Sequence, residues 1–236
     1  PMCSPARSSI LTGLYPHATG LVANHQERDI SRDIGLRPQV PVLADYLKES
    51  GYVCAYTGKW HLGTGGDRRS FTDFRTRAGI HDVDDPAQND MLQFTRKVGI
   101  EIGGKLKGND LDKSRYDPRT RVGTSLLPLA FHRSARDAAQ AGLFIRQMRQ
   151  RDEPFALVYS CYEPHPPFAC PAPFDAMYNP DDMPLPDNRD DTGAYDLMRG
   201  RYDRQLMPTT AFDEADLRHM WAHYCGAVSY VDHCLG

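Results

Sequence analysis

The chain has 236 residues, 40% of them apolar and 25% charged, so it can bury one large core and reads as one domain or part of one. A formal net charge of −3 leaves no electrostatic footprint for nucleic acid or an anionic membrane surface, and no apolar run is long enough to span a bilayer. Six cysteines are scattered without zinc-ligand spacing and read as mostly buried thiols, with disulfides left open. The chain opens on Pro1 and closes on Cys234-Leu235-Gly236 within an apolar helical stretch, which reads as an internal fragment of a longer protein.

The first stretch, Cys3-Ser4-Pro5-Ala6-Arg7-Ser8-Ser9-Ile10-Leu11-Thr12-Gly13, reads as a helix start and stop. Ser4 suits the N-cap, Pro5 the first helical position and Gly13 the end. Cys3 then stands beside unpaired N–H groups at the positive end of the helix dipole, a place that favours a bound oxyanion, an alkoxide or a thiolate. The phosphatase Cys-x5-Arg loop does not fit, because Ser9 stands where its arginine should be. His17 follows in a loop, as a surface residue rather than a ligand, and residues 21–41 are polar and irregular.

From Val42 to Ser50, Leu43, Tyr46 and Leu47 recur at helical spacing, and Gly51 ends that helix. Tyr52–Thr57 reads as a short buried strand that runs into Gly58-Lys59-Trp60-His61-Leu62-Gly63. In an extended segment, Lys59 and His61 would project together and Trp60 away, placing a cation and an imidazole beyond a strand's carboxyl end, as suits an anionic substrate. Residues 64–133 show no sustained period, and Asp82, Asp84 and Asp85 within them read as a solvated acidic loop rather than a metal site. The region is expected to be a variable one that shapes substrate access.

Ser134 is expected to cap a helix with Asp137 in its first turn and Ala138, Ala141, Ile145 and Met148 as its apolar stripe. Phe155–Tyr162 reads as a central parallel strand delivering Glu163-Pro164-His165-Pro166-Pro167-Phe168, where prolines restrict the backbone around His165. The last helix begins near Asp213-Glu214, with Leu217, Met220, Trp221, Tyr224, Val228, Val231 and Leu235 as its core stripe. His219 and His223 share a side at i, i+4, but no Glu follows His219 as the helical zinc-protease motif requires; with Asp232 they read as helix-surface residues. Helix and buried strand alternate, so the fold expected is α/β, a mostly parallel, helix-flanked sheet.

Three of these elements are spelled as one family spells them. Cys-x-Pro-x-Arg with Ser-Ser-x-Leu-Thr-Gly, then Gly-Lys-Trp-His-Leu-Gly, then Pro-His-Pro-Pro-Phe resemble the three signatures of the type I sulfatases in the alkaline-phosphatase superfamily. Ala172–Tyr178, Asp182-Met183-Pro184 and Tyr224-Cys225-Gly226 look most like its arylsulfatase and phosphonate monoester hydrolase branch. The resemblance implies that residues 1–236 form part of one sulfatase catalytic domain, an incomplete N-terminal half of the alkaline-phosphatase-type fold.

It also implies an arylsulfatase-type sulfuric ester hydrolase. Cys3 would be oxidised to Cα-formylglycine by a formylglycine-generating enzyme, and its hydrate would be the nucleophile. Arg7 would hold the hydrate, Lys59 the sulfate oxygens, and His61 a hydrate hydroxyl. His165 would contact the sulfate and protonate the leaving oxygen. One divalent cation, Ca²⁺ or Mg²⁺, would touch position 3, its other ligands lying outside this sequence, so the chain alone is expected to be inactive. The substrate would be a small-molecule or glycan sulfate ester, and a homo-oligomer is left open. Two alternatives stand beside this reading: a phosphonate or phosphate ester hydrolase on the same scaffold, and a non-catalytic binder of sulfated ligands.

Overall fold

The computed structural model describes residues 2–24, 35–37, 39–63, 70–75, 117, 120–125, 128–185, 187 and 212–236. Asp82, Asp84, Asp85 and most of region 64–133 lie outside them. In chain order the elements are α1 (Cys3–Thr12), α2 (Pro16–Thr19), α3 (Leu43–Glu49), β1 (Val53–Gly58), β2 (Asp73–Arg75), β3 (Val122–Ser125), α4 (Arg133–Met148), β4 (Phe155–Ser160), β5 (Phe168–Pro171) and α5 (Glu214–Leu235). They fall into two compact units, residues 1–89 with 133–162, and residues 90–132 with 163–236.

The first unit is an α/β layer structure. β1 lies between β2 and β4, parallel to both, with Val53 opposite Phe155 and Gly58 opposite Ser160. Alternation along β1 serves both faces. Cys54 and Tyr56 join Leu11, Leu21, Leu36, Val42, Trp60, Leu62 and Phe71 in one core, while Ala55 packs with Phe144 and Met148 of α4 in the other. Burial on both faces explains why these strands read as near-continuous apolar runs. β4, expected at the centre, flanks β1 among the described strands.

Helix ends and faces differ from the sequence pattern in instructive ways. α1 begins at Cys3 itself, with Met2 at the cap position and Gly13 closing it in the left-handed region (φ 70°). Ser4 is therefore inside the helix; its N–H is capped by Asn24 Oδ1 at 3.0 Å, a side chain twenty residues away. α4 buries Ser134, Asp137, Ala141, Phe144 and Met148, and leaves Ile145 exposed. Ala141 and Met148 of the expected stripe hold, and the face is shifted toward Phe144, which packs with Met148 against Ala55 of β1.

In α3, Leu43 and Tyr46 are exposed and Ala44 is buried. Asp45 holds the helix start, its Oδ2 accepting the Val42 N–H at 2.7 Å and its Oδ1 the Ser70 hydroxyl at 2.6 Å.

In the second unit β3 and β5 pair in parallel, Val122 opposite Phe168, and α5 packs on β5 and on the turn at Phe174–Ala176. Asp213 caps α5 in a capping box with Asp216. The buried face of α5 is Ala222, His223, Gly226, Ala227 and Tyr230, while Trp221, Val228 and Leu235 are exposed. The expected stripe followed the large apolar residues. The helix instead turns its small ones inward, since a Cβ at Gly226 would stand 2.1 Å from the Phe174 carbonyl oxygen. His223 is consequently buried, not a surface residue. Burial and the neighbouring His219 lower its pKa, against a pull upward from Asp175 and backbone hydrogen bonds.

No disulfide joins the six cysteines; Cys54 and Cys170 are buried and the other four half-buried. Burial, with Asp175 nearby, pushes the Cys170 thiol up to about 12. Among the described residues no helix is long and apolar enough to cross a membrane.

Candidate functional site

The first unit assembles its site where β1 ends. Gly58 there takes φ 96°, and a Cβ on it would lie 2.1 Å from the Ser160 carbonyl oxygen, so only glycine lets β1 and β4 approach this closely. The next residue, Lys59, is held at both backbone groups. Its N–H donates to the Ser160 carbonyl at 2.8 Å. Its own carbonyl accepts from Arg7 Nη1 at 2.9 Å, from Ser160 Oγ at 2.9 Å and from the Tyr56 hydroxyl at 2.7 Å. Arg7 Nη1 also donates to Ser160 Oγ. Three donors on one carbonyl fix the point from which the Lys59 side chain departs.

That side chain reaches back to α1. Lys59 Nζ lies 3.7 Å from Cys3 Sγ, bringing together two residues 56 positions apart. The ammonium also stands 5.0 Å from the centre of the Tyr162 ring, and the Arg133 guanidinium 4.3 Å from the same ring. Burial lowers the Lys59 pKa most, the Cys3 sulfur opposes this, and the charges of Arg7 and Arg133 lower it further. Tyr56 is pushed up by burial, against the pull of Ser160 and Arg7. The result is a half-buried cationic corner around position 3, at the N-terminus of α1, suited to a tetrahedral oxyanion.

Of the residues singled out from the sequence, Cys3, Arg7 and Lys59 come together here. Arg7 spends one nitrogen on the Lys59 carbonyl and Ser160, so it organises the corner as well as charging it. His61 is left-handed (φ 60°), which breaks the extended alternation expected to set it beside Lys59. His165 belongs to the second unit, half-buried, with Nδ1 2.6 Å from the Pro166 carbonyl. His17 is exposed and stacks on Tyr15.

Asn24, Tyr56, Ser160, Tyr162 and Arg133 had no signal in the sequence pattern. Each acts across a tertiary contact, although Ser160 and Tyr162 do sit at and just beyond a strand end, where such residues are worth testing.

The side chains around Cys3 are an ammonium, a guanidinium and an amide-capped helix start. Among the described residues no three His, Cys, Asp or Glu side chains converge to hold a metal. These residues therefore do not by themselves fit the oxygen-rich shell that Ca²⁺ or Mg²⁺ requires.

Asn24→Ala is expected to cost about 1 kcal/mol by uncapping α1 beside Cys3. A denaturant midpoint indistinguishable from that of the parent would show that the cap contributes nothing.

The comparisons with known proteins converge. Residues 1–236 match the Sulfatase family over their whole length. The multifunctional alkaline phosphatase superfamily protein PehA of Trinickia caryophylli is 28% identical over 263 residues, covering 99% of this chain and 48% of that protein. The uncharacterized sulfatase YidJ of Escherichia coli is 27% identical over 240 residues, covering 100% and 43%. Among solved structures, the phosphonate monoester hydrolase of Agrobacterium radiobacter superposes with a TM-score of 0.68 at 22% identity, covering 99% of this chain and 48% of that one. The chain thus spans about half the length of the curated relatives it matches. With its fold of parallel strands and flanking helices, the chain belongs to the sulfatase family of the alkaline-phosphatase superfamily.

Proposed function

We propose that this chain carries the nucleophile and the anion-binding corner of a sulfate monoester hydrolase of the arylsulfatase type. The observation that carries the reading is Lys59 Nζ at 3.7 Å from Cys3 Sγ, on a backbone held by Arg7. Cys3 is read as the precursor of Cα-formylglycine, whose hydrate would supply a nucleophilic hydroxyl and a second hydroxyl on the same carbon to release sulfate. Lys59 binds sulfate oxygens, and Arg7 keeps Lys59 in place and adds positive charge where the attacking oxygen loses its proton. His61 is assigned to the hydrate's hydroxyl and His165 to the leaving oxygen, both on the resemblance of their motifs. The divalent cation would take position 3 in its formylglycine form as a ligand, its remaining ligands lying outside this sequence.

A phosphonate or phosphate ester hydrolase would use the same corner, since a cationic pocket of this kind accepts tetrahedral anions of similar size. The deciding experiment has two parts, both on the full native protein co-expressed with a formylglycine-generating enzyme. Peptide mass around position 3 is expected to show formylglycine. Rates on an aryl sulfate are expected to exceed those on an aryl phosphonate monoester. The opposite order would move the assignment to the phosphonate hydrolases. An unmodified Cys3, with the maturing enzyme active on a control, would leave the sulfatase chemistry without its nucleophile.

A further inference from the structure

The second unit holds a feature that the proposed chemistry does not use. An open pocket of about 510 Å³ is lined by Asp175, Tyr178 and Asn179 on one side and by His219 and His223 of α5 on the other. The two histidines are one helical turn apart, with ring centroids 4.9 Å from each other and planes at 61°. His223 is more than nine-tenths buried, and its Nδ1 has no hydrogen-bond partner among the described residues. With the ring proton on Nε2, this buried Nδ1 offers its lone pair to a ligand, which is how a ligating imidazole is commonly oriented.

We propose that His219 and His223 form a two-imidazole site for a late first-row divalent ion, Zn²⁺ being the representative case, at the wall of this pocket. The spacing agrees with the requirement. With metal–nitrogen bonds of about 2.0–2.1 Å and ring centres about 1.2 Å behind the nitrogens, an ion shared at an angle of about 90–109° sets the centroids about 4.5–5.2 Å apart. The observed 4.9 Å falls inside that interval.

His219 is exposed and turns without disturbing the core, so it closes over an ion bound at the buried nitrogen. Imidazoles favour Zn²⁺, Ni²⁺ and Cu²⁺ over Ca²⁺ and Mg²⁺. Asp175, whose Oδ2 accepts the Thr124 hydroxyl at 2.6 Å, adds negative charge to the pocket. The protein supplies two ligands, since no three ligating side chains converge among the described residues, and the remaining positions are left to ligands from solvent entering the open pocket.

The test is a calorimetric titration of Zn²⁺ into the full native protein in excess Ca²⁺, which occupies oxygen sites and competes poorly for imidazoles. The parent and a His17→Gln control are expected to share one equivalent that both His219→Gln and His223→Gln lose. Zn²⁺ should also raise the unfolding temperature of the parent and not that of His219→Gln. Because His223 is buried, its variant could fail to fold; the exposed His219 then decides alone. An unchanged Zn²⁺ stoichiometry in His219→Gln, or a parent without this equivalent, overturns the proposal. Neither readout depends on hydrolytic activity.

Discussion

Gly58→Ala is expected to cost more than about 4 kcal/mol of folding stability, a range reached by few mechanisms, overpacking and strain at a special φ/ψ among them. Two causes act at this position and a control separates them. The positive φ of 96° by itself strains any L side chain, by about 1–3 kcal/mol. In addition, the new Cβ would lie 2.1 Å from the Ser160 carbonyl oxygen and 2.8 Å from its carbon, inside the register that pairs β1 with β4. Gly51 shares the first cause and not the second, with φ 85° and nothing within 4 Å of where its methyl carbon would stand. Denaturant titration of both variants should give a modest loss for Gly51→Ala and a large one for Gly58→Ala. Equal losses would mean that the strands have room to separate, and that Lys59 is not held as tightly as its hydrogen bonds imply.

Arg7→Gln is expected to lower kcat by about 10²–10³, the effect of removing one preorganised donor from a site of developing negative charge. The fold should persist, because Arg7 is half-buried at the edge of the core and the Lys59 carbonyl keeps two other donors, Ser160 Oγ and the Tyr56 hydroxyl. Those two supply the comparison. Ser160→Ala and Tyr56→Phe each remove one uncharged donor from the same carbonyl, a net change of about 0.5–1.5 kcal/mol. Steady-state rates on an aryl sulfate, with melting curves for each variant, distinguish the roles. A loss in Arg7→Gln no larger than in Ser160→Ala would reduce Arg7 to a backbone clamp and remove its charge from the proposed chemistry.

How far these positions could be found without coordinates differs by residue. Cys3, Arg7 and Lys59 stand in two spelled motifs, and each motif is local: a helix start and a strand end announce themselves in the order of residues. The parallel α/β class was equally legible, since strands buried on both faces leave long apolar runs between helices. The face of α4 was legible only in part, and that of α5 was not. Along α4 the expected stripe holds at Ala141 and Met148 but misses Ser134, Asp137 and Phe144, and α5 turns Gly226 and Ala227 toward its partner in place of its large apolar residues. Close approach of backbone to backbone selects small residues, and no pattern along one helix reveals how near its neighbour lies.

The amino-acid sequence by itself determined the chemistry available to this protein: a cysteine at a helix N-terminus, an arginine one turn on, and a lysine beyond a buried strand. Only the tertiary structure decided how that chemistry is held. Asn24 caps α1 from twenty residues away, Ser160 and Tyr56 fasten the carbonyl of Lys59, and Tyr162 receives the charges of Lys59 and Arg133. His223 lost its expected surface place for the same kind of reason, because the packing of α5, not its sequence period, sets which side is inside. Local motifs are written in short-range order, whereas hydrogen bonds between distant segments exist only once the chain has closed on itself.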